Sequence, residues 1–155
     1  MRVAVSSDLG APLVEVVRAF LSARGYEVVY FGPEAPGAEV DWPLVTGEAA
    51  DQVASGAVEL AVVMCWTGTG ASMAANKVSG VRAALCGDAE TARGARRWNH
   101  ANTLALSIRA TSEPLAREIL TAFLDEPWTT DEWNRTQMER IDALDRRRSA
   151  PDTPA

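Results

Sequence analysis

Short apolar segments alternate with helix-length segments along most of this 155-residue chain, and this alternation constrains its fold most. Strands are predicted at residues 3–6, 27–31, 60–65, 82–86 and 103–107. Helices are predicted at residues 11–24, 43–55, 71–77, 89–97, 113–124 and 131–148. Strands that are separated by helices form parallel sheets. We therefore predict an α/β fold, a three-layer Rossmann-like sandwich with a five-stranded parallel sheet and helices on both faces.

The length predicts a single domain, at residues 1–148. A chain of 155 residues with 47% hydrophobic content is long enough for one substantial core. Residues 131–148 are highly charged but include Trp133, Met138, Ile141 and Leu144, so this C-terminal helix is expected to pack on another subunit. The tail, residues 149–155, is predicted to be disordered.

Composition excludes several classes of partner. The net charge of −6 and the pI near 4.8 argue against a nucleic-acid surface. No apolar stretch approaches the ~20 residues of a membrane span, and no signal-peptide pattern is present, so we expect a cytoplasmic protein that does not bind membranes. The chain has one histidine, and its two cysteines lie far apart in the sequence and are expected to stay reduced. We therefore predict no metal site, and we expect no cofactor.

The segment Cys65-Trp66-Thr67-Gly68-Thr69-Gly70 is the strongest candidate for a functional site. It follows the buried-strand pattern of residues 60–64 and precedes the small residues of a predicted helix, so the thiol lies at the carboxyl end of a strand. Gly68 and Gly70 permit backbone N–H groups to approach a ligand closely, and a helix N-terminus favours negative charge. Such a site suits an anion, or an oxyanion that forms during a reaction.

Other polar residues follow the ends of the predicted strands. These are Asp8, residues 87–88 and Arg109. In open parallel sheets, ligands bind beyond the carboxyl ends of the strands, where the strand order reverses. We therefore expect these residues to converge with the Cys65 segment.

Three other enzyme classes do not match the Cys65 segment. A dinucleotide fingerprint requires a third glycine, but Met73 stands there. No Gly-Lys-Ser/Thr follows the turn, which excludes a P-loop. A cysteine phosphatase requires an arginine near Ala71, and none is present.

The same segment resembles one known family. The chain resembles the ribose-5-phosphate isomerase B and galactose-6-phosphate isomerase family in three places. These are the pattern Cys-x-Thr-Gly-x-Gly-x-Ser-x-Ala-Ala-Asn-Lys that starts at Cys65, residues 80–86, and Asn99-x-Ala101-Asn102. Weaker matches at Ser7-Asp8 and Asp41-x-Pro43 extend the resemblance over the first three quarters of the chain. The resemblance implies an aldose–ketose isomerase of a small phosphorylated sugar, either a pentose phosphate or a tetrose phosphate.

The resemblance assigns roles within the segment. Cys65 is the expected base, which removes a proton next to a carbonyl to form an enediolate, and Thr67 shuttles a proton between the two substrate oxygens. Backbone N–H groups from Thr67 to Ser72, including those of Gly68, Thr69 and Gly70, are expected to face the developing oxyanion. Asp8 either binds a sugar hydroxyl or caps the following helix. Cys86 is expected to pack in the core, and His100 to face solvent or cap a helix.

Phosphate recognition is implied at three arginines. Arg109 follows Leu106-Ser107-Ile108 where the family has a phosphate ligand. The family's C-terminal Arg-His-x-x-Arg is not intact, which leaves Arg135 and Arg140 as candidates, although Arg135 is equally consistent with a solvated helix. In the family this element reaches the partner's site, which implies a homodimer, or a higher oligomer, with sites shared across subunits.

Departures from the family pattern bear on the substrate. Leu9 and Trp98 stand where family members usually have histidines. In the family, the histidine at the position of Trp98, next to Asn99, is assigned to ring opening. Trp66 replaces a glycine and Trp42 a tyrosine, so the pocket is expected to be smaller or less polar. A four-carbon sugar phosphorylated on its terminal oxygen cannot close a five-membered ring, which makes tetrose 4-phosphates plausible substrates. A binding protein without turnover, and an isomerase of a non-phosphorylated or nucleoside-linked sugar, remain alternatives.

Overall fold

A parallel five-stranded sheet forms the centre of the protein. The computed structural model describes residues 1–149, and the side chains of residues 1–147. The strands are β1 (Arg2–Ser7), β2 (Glu27–Phe31), β3 (Leu60–Cys65), β4 (Ala83–Leu85) and β5 (Thr103–Ser107). Their order is β2-β1-β3-β5-β4, and every pairing is parallel. This architecture confirms the predicted fold class, although the edge strand β4 is one residue shorter at each end than predicted.

Helices connect the strands as the alternation predicts. They are α1 (Pro12–Ala23), α2 (Trp42–Ala54), α3 (Thr69–Ala75), α4 (Ala89–Asn99), α5 (Glu113–Asp125) and α6 (Glu132–Ser149). The one shift that matters for function is in α3, which begins two residues before the predicted start. Helix α6 includes Ser149, the first residue of the predicted disordered tail, and residues 150–155 lie outside the described residues.

Two apolar cores lie on opposite faces of the sheet. The larger core joins alternate strand residues, such as Val5, Val62 and Met64, to helices α1, α4 and α5. The smaller core joins the other residues of the same strands to α2 and α3. Because strand side chains alternate between faces, Cys65 belongs to the smaller core.

Small residues dominate the core between the sheet and α3. Ala61 and Ala105 of the sheet are fully buried, as are Ala71 and Ala75 of α3. Alanine side chains allow a helix and a sheet to approach closely. The first turn of α3 therefore lies against the end of β3, where Cys65 is located.

The strand order reverses between β1 and β3. The chain passes from β1 to β2 on one side, and its next strand, β3, pairs with the other side of β1. The loops after β1 and β3 therefore diverge and leave a crevice at the carboxyl edge of the sheet. In the described part of the chain, no helix has the length and apolar character needed to cross a membrane.

Helix α6 packs on the rest of the fold through few contacts. The Asp145 carboxylate accepts a hydrogen bond from the Gly80 amide at 2.9 Å, and the Arg82 guanidinium pairs with Asp142 at 3.7 Å. Trp133 is 69% exposed and Leu144 is 59% exposed. Such apolar exposure agrees with the prediction that α6 packs on another subunit, which stays a prediction.

Candidate active site

A cavity of about 350 Å³ opens at the strand-order reversal. Eight residues line it: Asp8, Trp42, Cys65, Trp66, Thr67, Thr69, Gly70 and Met73. Cys65 is only 5% exposed, yet it is one of the lining residues, so it is not sealed off from the cavity. Asp8 after β1 and the Cys65 segment after β3 thus line one cavity, whereas residues 87–88 and Arg109, which are expected to join them, do not.

The thiol of Cys65 is held against the first turn of α3. The Ala71 amide donates a hydrogen bond to the Cys65 sulfur at 3.4 Å. On the neighbouring strand, Ser107 pairs with Cys65 in the parallel register. The contact fixes the position of the sulfur at the first turn of α3.

Gly68 makes the sharp turn from β3 into α3. Its φ of 76° is left-handed, and its N–H donates to the Cys65 carbonyl at 3.2 Å. A side chain at this position would meet the backbone carbonyl of Leu106 at 2.9 Å, so both the conformation and the space require glycine. The turn brings the hydroxyl oxygens of Thr67 and Thr69 to 2.7 Å from each other.

Only part of the predicted row of amide donors is free. The amides of Gly68, Ala71 and Ser72 are already bonded, to the Cys65 carbonyl, the Cys65 sulfur and the Gly68 carbonyl. In residues 1–149, the amides of Thr67, Thr69 and Gly70 have no such partner. The expectation that amides from Thr67 to Ser72 all face a ligand is therefore wrong, because the early start of α3 engages the Ser72 amide within the helix.

Asp8 is a carboxylate with an unmet hydrogen-bonding requirement. Its Oδ1 is buried and has no partner among the described residues. Burial raises the pKa of Asp8, and the nearby charge of Glu39 raises it further, although a backbone hydrogen bond acts in the opposite direction. Ala11 is the N-cap residue of α1, so the capping alternative for Asp8 is wrong. Asp8 lines the cavity, although its Oδ1 is enclosed by protein atoms.

Two indoles flank the mouth of the cavity. Trp42 is 41% exposed, and a methyl group at Gly70 would lie 3.2 Å from its ring, so the ring rests on the glycine backbone. Trp66 is 57% exposed, and its carbonyl accepts bonds from the Ser107 hydroxyl and the Arg109 amide, each at 3.0 Å. Its backbone is therefore fixed while its side chain borders the opening.

Several predicted site residues lie elsewhere in the single chain. Trp98, Asn99 and Arg140 line a separate groove of about 600 Å³ between α4 and α6, with Trp133 and Gln137. The Arg135 side chain is exposed and does not line this groove. Within one chain, the placement of Trp98 near the Cys65 pocket is therefore not observed.

Arg109 and Ser72 lie beside the Cys65 cavity without lining it. Arg109 is exposed at the end of β5 and has no salt-bridge partner among residues 1–147. Ser72 is half-buried on α3, and its amide closes the first turn of the helix.

Three further residues act in the structure of the fold. His100 ends α4 in the left-handed region, its Nε2 lies 2.9 Å from the Thr129 carbonyl oxygen, and its ring stacks on Trp128. Cys86 is 1% exposed, and burial raises the pKa of its thiol to about 12. The capping role of His100 and the packing role of Cys86 are as predicted. Asp88 caps α4 through Thr91, so its carboxylate is already engaged.

Sequence reasoning missed Met73 as a residue of the cavity. It is 60% exposed and follows Gly70 by three residues on α3. Residues three apart lie on one helix face, so this spacing was the signal that indicated it.

Comparisons with known proteins identify the family of this chain. The family model described as Ribose/Galactose Isomerase matches residues 3–144. The galactose-6-phosphate isomerase subunit LacB of Clostridium acetobutylicum is 33% identical over 145 residues, which cover 93% of this chain and 83% of that protein. The D-erythrulose-4-phosphate isomerase of Pectobacterium atrosepticum is 32% identical, over 81% of this chain and 83% of its own length.

The fold leads to the same family. The structure of ribose-5-phosphate isomerase B from Clostridium thermocellum superimposes with a TM-score of 0.91 and 36% identity, and the match covers 96% of this chain and 100% of that one. The family model spans most of the chain, including both halves of the Cys65 cavity. This chain therefore belongs to the ribose/galactose isomerase family.

Proposed function

We propose that this protein interconverts an aldose and a ketose of four carbons that carry a terminal phosphate, with Cys65 as the base. The observation that carries this proposal is the composition of the cavity lining. A cysteine, an aspartate and two threonines with paired hydroxyls line one cavity, and the adjoining amides of Thr67, Thr69 and Gly70 have no internal acceptor among the described residues. Isomerisation through an enediolate requires a base, an oxyanion site and a group that exchanges oxygen-bound protons.

The thiolate of Cys65 removes the proton from the carbon next to the carbonyl. The negative charge that develops on oxygen faces the amides of Thr67, Thr69 and Gly70, which have no internal acceptor. A donor of this kind typically lowers the barrier by about 3 kcal/mol. Cys65 then returns the proton to the neighbouring carbon.

The inventory of titratable groups supports a substrate that needs no ring opening. The cavity contains no imidazole, because the single histidine of the chain, His100, is engaged by Thr129 and Trp128. A pentose phosphate spends most of its time as a closed furanose, whereas a tetrose 4-phosphate has no free hydroxyl with which to form that ring. The relative from Pectobacterium atrosepticum, named as an erythrulose 4-phosphate isomerase, supports this chain length.

Two guanidinium groups are the candidates for the phosphate. Arg109 is exposed beside Trp66 at the edge of the cavity. Arg140 lines the groove with Trp98 and Asn99, whereas Arg135 does not, which favours Arg140 among the two C-terminal candidates. Guanidinium groups bind phosphate through paired hydrogen bonds.

A homodimer would bring the Cys65 cavity of one chain next to the groove between α4 and α6 of the other. Exposed Trp42, Trp66 and Met73 surround the Cys65 cavity, and exposed Trp98 and Trp133 line the groove. In a twofold dimer, the cavity patch of each copy can cover the groove patch of the other. Both patches are then buried in both chains. Each site would then combine Cys65 of one chain with Arg140 of the other.

The test is an isomerisation assay with D-erythrose 4-phosphate, D-erythrulose 4-phosphate and D-ribose 5-phosphate in D₂O. We expect conversion of the tetroses with deuterium incorporation, and loss of both in Cys65→Ala. Cys86→Ala is the matched control, because its thiol is buried outside the cavity and should leave the rate unchanged. Efficient turnover of a pentose or hexose phosphate with no effect on tetrose phosphates would refute the proposal.

Two results would favour the alternative functions. Binding of tetrose phosphates without exchange would indicate a protein that has lost turnover. Strong activity on sugars without phosphate would indicate a different substrate class, and it would remove the role given to Arg109.

A further inference from the structure

The hydroxyls of Thr67 and Thr69, two exposed residues that line the Cys65 cavity, form a bonded pair. Their oxygen atoms lie 2.7 Å apart, which is the usual length of a hydrogen bond between hydroxyls. Both threonines line the cavity, and neither hydroxyl bonds any other described residue. Each hydroxyl therefore keeps hydrogen-bonding capacity for a ligand.

The left-handed turn at Gly68 produces this pair. Its φ of 76° folds the chain so that the side chains on either side of the glycine meet. Glycine is also required there by the nearby backbone of Leu106. The backbone turn thus brings the two side chains within hydrogen-bonding reach of each other.

An aldose–ketose isomerase has to move a proton between two oxygens as well as between two carbons. When the aldose becomes the ketose, O2 loses its proton and O1 gains one. A single hydroxyl would have to serve both oxygens in turn. Two hydroxyls that are already hydrogen-bonded can serve both oxygens at once, because the oxygens of a cis enediolate are adjacent.

We propose that Thr69 is a second catalytic hydroxyl, which with Thr67 forms a two-membered proton relay between O1 and O2 of the substrate; this inference rests on the proposed isomerase function. One threonine accepts the O2 proton and passes its own proton to the other threonine, which gives its proton to O1. Three O–H bonds break and three form, so both hydroxyls are regenerated and neither acquires charge. Hydrogen bonds in such a chain strengthen one another.

The relay is tested by substitutions that separate the hydroxyl from the side-chain shape. Thr69→Val removes the hydroxyl, and Thr69→Ser keeps it. With D-erythrose 4-phosphate in D₂O, we expect kcat for isomerisation to fall about 10- to 100-fold in Thr69→Val, within or just below the range of general acid–base effects. KM should change less than about twofold, and Thr69→Ser should restore most of the rate. Thr121→Val, at an exposed position on α5, is the matched control.

A second readout distinguishes a relay from a structural role. Cys65 can still remove the C2 proton in Thr69→Val, so deuterium exchange at C2 should continue while isomerisation falls, and the ratio of the two should rise at least about tenfold. A structural defect would lower both rates together. If Thr69→Val does not fold, Thr69→Ala and a proton inventory of the unmodified protein replace it. The relay predicts a curved inventory.

The inference is overturned if Thr69→Val retains kcat within twofold, if exchange and isomerisation fall equally in a folded variant, or if the proton inventory is linear. Failure of the proposed function gives a different result, because the unmodified protein would then neither isomerise nor exchange tetrose phosphates.

Discussion

The backbone amide of Ala71 donates to the sulfur of Cys65 across 3.4 Å, although the two residues belong to different elements. Ala71 is fully buried against the sheet, so the contact is fixed by the packing of α3. The same packing leaves the amides of Thr67, Thr69 and Gly70 without internal acceptors. One short turn therefore brings together the sulfur, its donor and the free amides.

The two thiols should differ sharply in reactivity. At pH 8, iodoacetamide is expected to label Cys65, which the cavity reaches. Cys86 should remain unmodified, because it is 1% exposed and burial raises the pKa of its thiol to about 12. Mass spectrometry of the folded protein should show one adduct per chain, and of the unfolded protein two.

Cys65→Ala and Cys86→Ala are the controls for this assignment. The folded Cys65→Ala protein should take up no label, and Cys86→Ala should label at the original rate. Preferential labelling of Cys86 in the folded protein would contradict the buried environment described for it.

Gly68→Ala should reduce both stability and activity. A left-handed conformation costs an L-residue about 1–2 kcal/mol, and the new methyl group would also meet the Leu106 backbone at 2.9 Å. Gly56→Ala is the matched control, because Gly56 has a φ of +74° and open space around it. Urea unfolding should show about 1 kcal/mol of destabilisation for Gly56→Ala and clearly more for Gly68→Ala. Equal losses of stability in the two variants would show that the Leu106 backbone moves away from the new methyl group at no cost.

Much of the fold could be predicted because the strand and helix signals are local. The apolar run at Leu60–Cys65 and the spacing of Leu13, Val17 and Leu21 fix their elements without reference to distant residues. The start of α3 was misplaced, because it depends on the left-handed Gly68 and on the alanines packed on the sheet.

The site was predictable where it follows topology, and less so where it depends on side-chain position. Asp8 and Cys65 line one cavity because both lie at the carboxyl ends of neighbouring strands, at the order reversal. The sequence gives no distance between the Thr67 and Thr69 hydroxyls, and no sign that the Trp42 ring covers Gly70. The separation of Trp98 from Cys65 depends on the packing of α4 against α6, which is a tertiary property.

Asp8→Asn should raise stability at neutral pH and lose that advantage in acid. Burial and the charge of Glu39 raise the pKa of Asp8 in the folded state above its ordinary value of 3.8. The ionised carboxylate therefore disfavours folding above the folded-state pKa, and this penalty vanishes below about pH 3.8, where the carboxyl is protonated in both states. Melting curves from pH 3.5 to 8 should show Asp8→Asn higher by a few degrees only at the upper end.

The same variant should lose isomerase activity, because the amide cannot replace the carboxylate as an acceptor on both oxygens. Activity and stability would then move in opposite directions, as is common at functional sites. A pH-independent difference in melting temperature would show that Asp8 is not the group responsible. Glu39→Gln, which removes only the neighbouring charge, should give a smaller effect of the same sign.

Trp133→Arg should weaken the proposed dimer. Trp133 is 69% exposed in the groove beside α6, and loss of a buried interface tryptophan typically costs ~2 kcal/mol or more, about 30-fold in Kd. Thr121→Arg adds the same charge to the exposed face of α5 and should leave the dimer intact. Analytical ultracentrifugation measures both, and an undisturbed Trp133→Arg dimer would place the interface on another surface.

Trp66→Gly should shift the substrate preference toward longer sugars. The indole is 57% exposed at the mouth of the cavity, and its backbone carbonyl is held by Ser107 and Arg109, so the loop should keep its place when the side chain is removed. Removal of this wall should raise kcat/KM for D-ribose 5-phosphate relative to D-erythrose 4-phosphate by about tenfold, the scale of a small change in pocket size. Trp66→Ala separates added loop flexibility from added space, and both variants should shift alike. An unchanged ratio in both variants would mean that chain length is selected elsewhere, most directly at the groove that contains Arg140.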